Sequence, residues 1–313
     1  MTAPLLTLAA VGATYPHDDG AVDALADVSF DLAEGERIAV IGESGSGKST
    51  LALAIAGLLP STAVSVGRIG WRRPMVGGRD IGFVFQDPGA SLDPVMNIGD
   101  QVAEVRVRHC GEGLRAARRA AIDLLDRVRL PQPSRLARAY PHELSGGQRQ
   151  RAALAMAIAA GPRLLIADEA TSALDTVVQA EIVALIGELV RAASMALVFV
   201  THDIALASQI SDRIVVLYAG RMVEAGPAAR VVGAPRHPYT QALIAGHLDL
   251  SRAPAFPLPA IAGAPPDPFD PPRGCRFAPR CSHAFSACLD EPAWSGGIGD
   301  GVRCVGFPLG GEP

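Results

Sequence analysis

The sequence lacks any long run of apolar residues, although nearly half of its 313 residues are hydrophobic. A helix that spans a membrane needs about 20 consecutive apolar residues. The most apolar stretch, residues 152–160, is too short and is followed by Gly161 and Pro162, so we expect a buried helix there. The N-terminus also lacks the basic residues that begin a signal peptide. We therefore predict a cytosolic chain that would serve a membrane only from its surface.

An excess of positive charge is also missing, since the formal net charge is −4 at pH 7 and the isoelectric point is about 6.0. This balance gives no electrostatic reason to expect a nucleic acid partner. Cysteine is scarce, and four of the five cysteines lie near the C-terminus: Cys275, Cys281, Cys288 and Cys304. In a cytosolic chain such clustering favours a metal site over disulfide bonds.

The most informative stretch, residues 37–51, joins an apolar strand to a glycine-rich loop and a helix. It reads RIAVIGESGSGKSTL, which has the phosphate-loop spacing of Gly42, four residues, then Gly47, Lys48 and Ser49. Such glycines let backbone N–H groups turn toward phosphate oxygens at the positive end of the helix. Lys48 can reach the β- and γ-phosphates, and the Ser49 hydroxyl can ligate Mg²⁺. The alternative is a Gly-Ser turn with an exposed lysine, but the flanking strand and helix favour a phosphate loop.

Two acidic residues follow a second apolar strand, predicted at residues 164–167. Asp168, at the carboxyl end of that strand, is placed to hold Mg²⁺. Glu169 beside it could orient and deprotonate a water molecule as the general base of a hydrolysis. Adjacent carboxylates are seldom purely structural when a phosphate loop precedes them in the chain.

Two residues upstream of these carboxylates have both a structural and a functional interpretation. Tyr15 could stack on an adenine, because every base has a π-face, or it could pack beneath its own loop. Gln86 follows a strand predicted at residues 81–85. It could reach a metal-bound water molecule or cap a turn, and its spacing alone favours the turn.

The segment LSGGQ at residues 144–148 and His202 are similarly ambiguous. Ser145 is a plausible N-cap of an apolar helix, so this helix start could receive an anion or could be an ordinary capped helix. His202 ends a buried strand predicted at residues 196–201 and belongs to the same sheet edge as Lys48, but a lone histidine is usually structural.

The remaining segments predict an α/β chain. Residues 5–34 indicate short strands around a turn-rich loop at residues 14–27, and residues 97–139 indicate a helical insert. Strands separated by helices predict a mainly parallel, doubly wound sheet, which a hairpin at residues 213–224 closes. Prolines dominate from about residue 250, which predicts a linker that is neither helix nor central strand.

Taken in order, these motifs resemble the nucleotide-binding subunit of an ABC (ATP-binding cassette) transporter over residues 5–245. The residues that carry the resemblance are Tyr15, Gly42 to Thr50, Gln86, LSGGQ at 144–148, Asp168, Glu169, Ser172 to Asp175, and His202. The resemblance implies ATP and Mg²⁺ as ligands. It implies adenine stacking by Tyr15 and phosphate binding by Gly42, Ser44, Gly45, Gly47, Lys48, Ser49 and Thr50. It also implies Mg²⁺ contacts from Ser49, Gln86 and Asp168, and catalytic roles for Glu169, Gln86 and His202.

The resemblance further implies a head-to-tail dimer with a second ABC ATPase subunit, expected to be a different chain. Each ATP would lie between the phosphate loop of one subunit and the LSGGQ segment of the other. The residues expected to act across this dimer are Ser145, Gly146, Gly147, Gln148 and Asp175.

Finer motifs are similar to those of the oligopeptide/dipeptide permease ATPases: FQDPGASLDP, YPHELSGGQRQR, HPYTQAL and GCRFAPRC. They imply an importer ATPase at the cytoplasmic face of the membrane that energises di- or oligopeptide uptake. Its partners would be two transmembrane permease subunits and an extracytoplasmic solute-binding protein, with no nucleic acid. The alternatives are uptake of nickel or another metal chelate, a soluble non-transport ABC protein, and an exporter.

The resemblance predicts an ABC ATPase domain at residues 1–248, with an N-terminal antiparallel β-subdomain and a helical insert at about 90–160. A Pro-rich linker and a small Cys-rich tail domain would occupy residues 249–313. The tail has the spacing C-x5-C-x6-C-x15-C, and four thiolates suit an iron–sulfur cluster or tetrahedral zinc. The lack of a C-x2-C pair weakens the zinc interpretation, and the resemblance favours a [4Fe–4S] cluster on these cysteines.

Overall fold

The structure, a computed structural model, describes residues 3–18, 20–170, 175–246 and 261–306. These residues form two compact units. The phosphate-loop unit contains the described parts of residues 1–32, 38–72 and 201–313, and the helical unit contains those of residues 33–37 and 73–200.

The strands of the described residues are β1 (Leu6–His17), β2 (Gly20–Leu32), β3 (Arg37–Ile41), β4 (Val64–Trp71), β5 (Ile81–Val84), β6 (Leu164–Asp168), β7 (Ala196–Thr201), β8 (Arg213–Tyr218), β9 (Arg221–Pro227), β10 (Ser295–Gly297) and β11 (Asp300–Val302). The α-helices are α1 (Lys48–Ala56), α2 (Pro88–Ser91), α3 (Ile98–Cys110), α4 (Leu114–Arg127), α5 (Pro133–Leu136), α6 (Gly146–Ile158), α7 (Thr176–Ala193), α8 (Ile204–Ile210), α9 (Ala228–Gly233) and α10 (Pro238–Ala245).

The phosphate-loop unit contains an antiparallel sheet in the order β2-β1-β4 and a run of strands in the order β10-β11-β9-β8-β3, in which β3 and β8 are parallel. The predicted loop at residues 14–27 is wrong, because β1 and β2 continue through most of it as a long hairpin. Tyr15 lies opposite Val22, and Thr14 Oγ1 donates to Asp23 Oδ1 at 2.7 Å. Cross-strand pairing thus outweighs the turn-favouring composition of this segment.

The helical unit contains three parallel strands in the order β7-β6-β5. Residues 164–167 are fully buried, as expected for a strand in a parallel sheet that is covered on both faces. At Gly82 in β5, a Cβ atom would lie 2.3 Å from the carbonyl oxygen of Ala157 in α6. Only glycine permits this close approach of helix to strand. The predicted helical insert is present as α3, α4 and α5.

The described C-terminal residues 261–306 belong to the phosphate-loop unit. Phe277 is 3% exposed and packs in one core cluster with Tyr218 and Tyr239. Strand β11 pairs with β9. A separate Cys-rich tail domain is therefore not shown by the described residues, because Phe277 is buried in the core cluster that also contains residues of β3.

No helix in the described ranges is both long enough and apolar enough to cross a membrane.

Candidate functional site

The phosphate loop connects the buried strand β3 to the first turn of α1. Gly42 has φ +155°, and a Cβ atom there would lie 2.2 Å from the carbonyl oxygen of Leu217. Gly47 has φ +97°, and its Cβ atom would lie 2.4 Å from the carbonyl oxygen of Ala24. Both positions thus require glycine for conformation and for space. The loop follows the tight path that turns backbone N–H groups inward in phosphate-binding loops.

Lys48 is the only lysine in the sequence, and it is 4% exposed. Its Nζ atom donates to the carbonyl oxygens of Gly42 and Glu43, both at 2.9 Å. The hydroxyl of Ser46 is buried with no hydrogen-bond partner in the structure. The positive charge of Lys48 and the unpartnered hydroxyl of Ser46 are hydrogen-bond donors within the loop. An anionic phosphate group can accept hydrogen bonds from both.

Side chains from the C-terminal part of the chain hold this loop, and these contacts were not predicted from the sequence. The Glu43 N–H donates to Tyr239 Oη at 2.8 Å, and the Glu43 carboxylate forms an ion pair with Arg280 at 2.7 Å. Tyr239 belongs to the HPYTQAL segment and Arg280 to the GCRFAPRC segment. In the sequence, the one indication that these two residues are functional was their position within motifs that resemble the peptide-permease ATPases.

Two further predicted site residues belong to the phosphate-loop unit. Tyr15 is half-buried on β1, and His202 is exposed directly after β7. Next to His202, Asp203 caps α8 through acceptor contacts to the N–H groups of Ala205 and Leu206. Stacking of Tyr15 on adenine and contact of His202 with the γ-phosphate stay predictions.

The helical unit brings two predicted catalytic side chains together. Gln86 Nε2 donates to Glu169 Oε2 at 3.1 Å. Asp168, at the end of β6, is 6% exposed, and Glu169 has a left-handed backbone with φ +43°. The side chain of Gln86 thus contacts Glu169, whereas the cap of α2 is the adjacent Asp87, which accepts from the Gly89 N–H at 2.7 Å. The structure therefore places the amide of Gln86 on the predicted general base.

The LSGGQ segment forms a capped helix start. The Ser145 hydroxyl accepts from the Gln148 N–H at 3.3 Å, and the Gln148 side chain accepts from the Ser145 N–H at 3.0 Å. This is the predicted N-cap in the form of a capping box. Asp175 caps α7 by accepting from the Val178 N–H at 3.0 Å. Residues 172–174 lie outside the described residues, and the action of Ser145, Gly146, Gly147, Gln148 and Asp175 on the ATP of a partner stays a prediction.

The four C-terminal cysteines line one small pocket: Cys275, Cys281, Cys288 and Cys304. Burial raises the pKa of the Cys275 thiol to about 11, and burial also raises the pKa of Cys281. Metal ligation needs thiolates, whereas neutral thiols pack as small apolar groups. In the part of the chain that the structure describes, no group of three or more His, Cys, Asp or Glu side chains is arranged to hold a metal ion. The predicted [4Fe–4S] cluster is thus not supported by this arrangement.

Two family models match the sequence. The model described as ABC transporter matches residues 25–172. The model described as the C-terminal region of oligopeptide/dipeptide transporters matches residues 223–288, which include the HPYTQAL and GCRFAPRC segments.

The chain is also similar to whole curated proteins and to solved structures. It is 42% identical to a putative peptide import ATP-binding protein of Brucella abortus (strain 2308), over 97% of this chain and 95% of the relative. It is 42% identical to the dipeptide transport ATP-binding protein DppD of Bacillus subtilis (strain 168), over 86% of this chain and 84% of the relative. It matches a dimeric ATP-binding cassette in a post-hydrolysis state bound to ADP and Pi. That match has a TM-score of 0.63 and 30% identity, over 71% of this chain and 98% of the other.

The matches and the phosphate-loop geometry agree, and they confirm the predicted family and the predicted ATPase fold. The chain belongs to the ABC transporter family and is an ATP-hydrolysing subunit of such a transporter.

Proposed function

We propose that this chain binds and hydrolyses ATP at the cytoplasmic face of the membrane to energise the uptake of di- or oligopeptides. One observation carries the proposal: a phosphate loop and the C-terminal region of oligopeptide/dipeptide transporters occur in the same chain. Relatives that match nearly the whole chain are named for peptide import, which supports the same cargo.

In the proposed chemistry, the phosphate loop binds ATP through its N–H groups and Lys48. Ser49 and Asp168 would hold Mg²⁺, which would supply positive charge to offset that of the phosphates. Glu169 would accept a proton from the attacking water molecule. Gln86 would orient Glu169 through the 3.1 Å contact, so that hydrolysis depends on the loop that carries Gln86.

The proposed assembly contains a second ABC ATPase, two membrane permeases and an extracytoplasmic solute-binding protein. The helical unit has a groove of about 330 Å³ whose lining includes Gln86, Pro94, His142 and Arg149. Next to Pro94, the side chain of Val95 is 81% exposed. We infer that this groove receives a helix of a permease subunit, in the helix-in-groove mode of recognition, with Val95 as an apolar contact at its edge.

A pull-down of the tagged chain from native membranes in mild detergent tests the assembly. We expect two multi-span permeases, a second ATPase and a solute-binding protein, whose pocket can then be assayed for peptides and metal chelates. Val95→Asp should lose the permeases, whereas Val64→Asp, at an exposed position on β4, should retain them. Recovery of ribosomal or DNA-repair proteins without any membrane protein would contradict the transport function.

We also propose that residues 1–248 act as the nucleotide-binding domain and that the region 249–313 carries a [4Fe–4S] cluster on its four cysteines. The proposal rests on the resemblance of the C-terminal segment to the peptide-permease ATPases. The four cysteines line one pocket, where the Cys275 N–H donates to the Cys288 carbonyl at 2.9 Å. These contacts bring the sulfur-bearing residues together, although the thiols in this structure do not form a metal-holding group.

Metal analysis of anaerobically purified protein tests the cluster. We expect a brown protein with about four iron and four sulfide ions per chain, as for a Cys₄ cluster. Cys288→Ser should lose the colour and the iron. Cys110→Ser, which changes an exposed cysteine outside the pocket, should keep both. A colourless wild-type protein, with or without stoichiometric zinc, would contradict the cluster.

A further inference from the structure

Glu43, the first residue after Gly42 in the phosphate loop, is held through three of its groups. Its N–H donates to Tyr239 Oη at 2.8 Å, and its carbonyl oxygen accepts from Lys48 Nζ at 2.9 Å. Its carboxylate accepts from Arg280 Nη1 at 2.7 Å and from Arg280 Nη2 at 3.1 Å. Glu43 therefore connects the lysine of the phosphate loop directly to the C-terminal part of the chain.

The Arg280 guanidinium is itself held in place. Its side chain is only 5% exposed, its Nε donates to the Ala262 carbonyl at 2.9 Å, and its guanidinium carbon lies 5.9 Å from the centre of the Tyr218 ring. A planar guanidinium that binds a carboxylate with two hydrogen bonds restricts the orientation of that carboxylate. Arg280 thus defines where the Glu43 side chain lies.

The segment that contains Arg280 is anchored in the core of the phosphate-loop unit. The ring of Phe277 contacts the rings of Tyr218 and Tyr239 at centroid distances of 5.2 and 5.4 Å. Tyr239 is also the acceptor for the Glu43 N–H. The backbone and the side chain of Glu43 are therefore held by one aromatic cluster and by the arginine beside it.

We propose that Arg280 is a positioning residue for ATP binding, which holds Glu43 and thereby keeps the phosphate loop and Lys48 in the arrangement that receives phosphate. If this contact is lost, the loop samples other conformations, and the apparent affinity for ATP falls with the population of the competent one. After ATP has bound, Glu169 and Gln86 act as before, so the rate of the chemical step is unaffected. The inference rests on the ATP-binding function proposed above.

Binding and kinetics of the full-length chain test this role. For Arg280→Gln we expect the Kd and KM for MgATP to rise about tenfold, a change of ~1.4 kcal/mol, while kcat stays within about twofold. The Kd of Arg280→Lys for MgATP should lie between those of the wild type and Arg280→Gln, because lysine keeps the positive charge but cannot form two parallel hydrogen bonds to the carboxylate. Arg273→Gln removes the same charge at an exposed position directly before the GCRFAPRC segment, and it should bind ATP like the wild type.

The double variant Arg280→Gln with Glu43→Gln tests whether Arg280 affects ATP binding through Glu43 or through a general loss of structure. If the two residues act through each other, the Kd of the double variant should be close to that of the worse single variant, not to the product of both effects. Since Lys48 is the only lysine, an amine-reactive reagent followed by peptide mass spectrometry provides a second measure. Half-protection of Lys48 should need about ten times more ATP in Arg280→Gln, by the same population argument.

A folded Arg280→Gln protein with a lower Tm and an unchanged Kd for ATP would overturn the positioning role and leave Arg280 as a purely structural residue. If Arg280→Gln does not fold, the Kd of Arg280→Lys for ATP and the protection of its Lys48 by ATP decide in the same way. A wild-type chain that does not bind MgATP at all would instead contradict the proposed function, which distinguishes the two failures.

Discussion

Glu169→Gln is expected to lower kcat for ATP hydrolysis by about a hundredfold or more while the Kd for ATP stays within about twofold of the wild type. The amide has nearly the same shape as the carboxylate but cannot accept the proton of the attacking water molecule. Its oxygen can still accept the hydrogen bond that Gln86 Nε2 donates to Glu169 in the native protein. The variant therefore removes the base and keeps the local geometry.

Steady-state hydrolysis together with equilibrium binding of ATP measures this effect. Glu188→Gln is a matched control, because Glu188 lies in the same compact unit, is about half exposed and forms an ion pair with Arg129. An exposed ion pair contributes about 1 kcal/mol or less to stability, so this control should hydrolyse ATP like the wild type. Near-normal turnover of Glu169→Gln would rule out Glu169 as the general base.

Lys48→Ala is expected to weaken ATP binding itself, by about ten- to a hundredfold. Hydrogen bonds to charged groups contribute about 1.5–3 kcal/mol each, and the substitution removes the one lysine that can reach the phosphates. It also removes the donor to the Gly42 and Glu43 carbonyls in the native loop. We therefore expect a rise in Kd larger than that of Arg280→Gln, which leaves Lys48 in place.

Equilibrium binding of a fluorescent ATP analogue measures the loss, with thermal unfolding to show that the variant is folded. Lys48→Arg keeps the positive charge and should retain part of the affinity. In the wild type, ATP should protect Lys48 from amine-reactive reagents, while the N-terminal amine serves as the internal reference. Wild-type affinity in a folded Lys48→Ala protein would be incompatible with a contact between Lys48 and phosphate.

The variants divide the reaction into separate steps. Glu169→Gln tests proton transfer during hydrolysis, and Lys48→Ala tests the contact with the phosphates. Arg280→Gln tests the conformation of the phosphate loop in the protein without ATP. The first should change kcat and the other two should change Kd. A variant that changes both parameters equally would indicate a residue that acts in more than one step.

Features that depend on neighbouring residues could be predicted from the amino-acid sequence. The strand, glycine loop and helix at residues 37–51 were predictable, because backbone conformation and helix starts are set within a few residues. The Ser145 cap was predictable for the same reason, since both partners of the capping box lie within one helical turn. The loop predicted at residues 14–27 was wrong, because the pairing of β1 with β2 decides the conformation there.

Contacts between side chains that are distant in sequence became visible from the folded chain alone. Gln86 and Glu169 are 83 residues apart in sequence, and Glu43 and Arg280 are 237 apart. The packing of Phe277 into the core places residues 275–281 against the phosphate loop, although the prolines before them indicate a linker to a separate domain. Burial in that core also raises the pKa of the Cys275 thiol to about 11. Spacing along the chain carries no information on such contacts, since they arise from the burial of side chains contributed by distant segments.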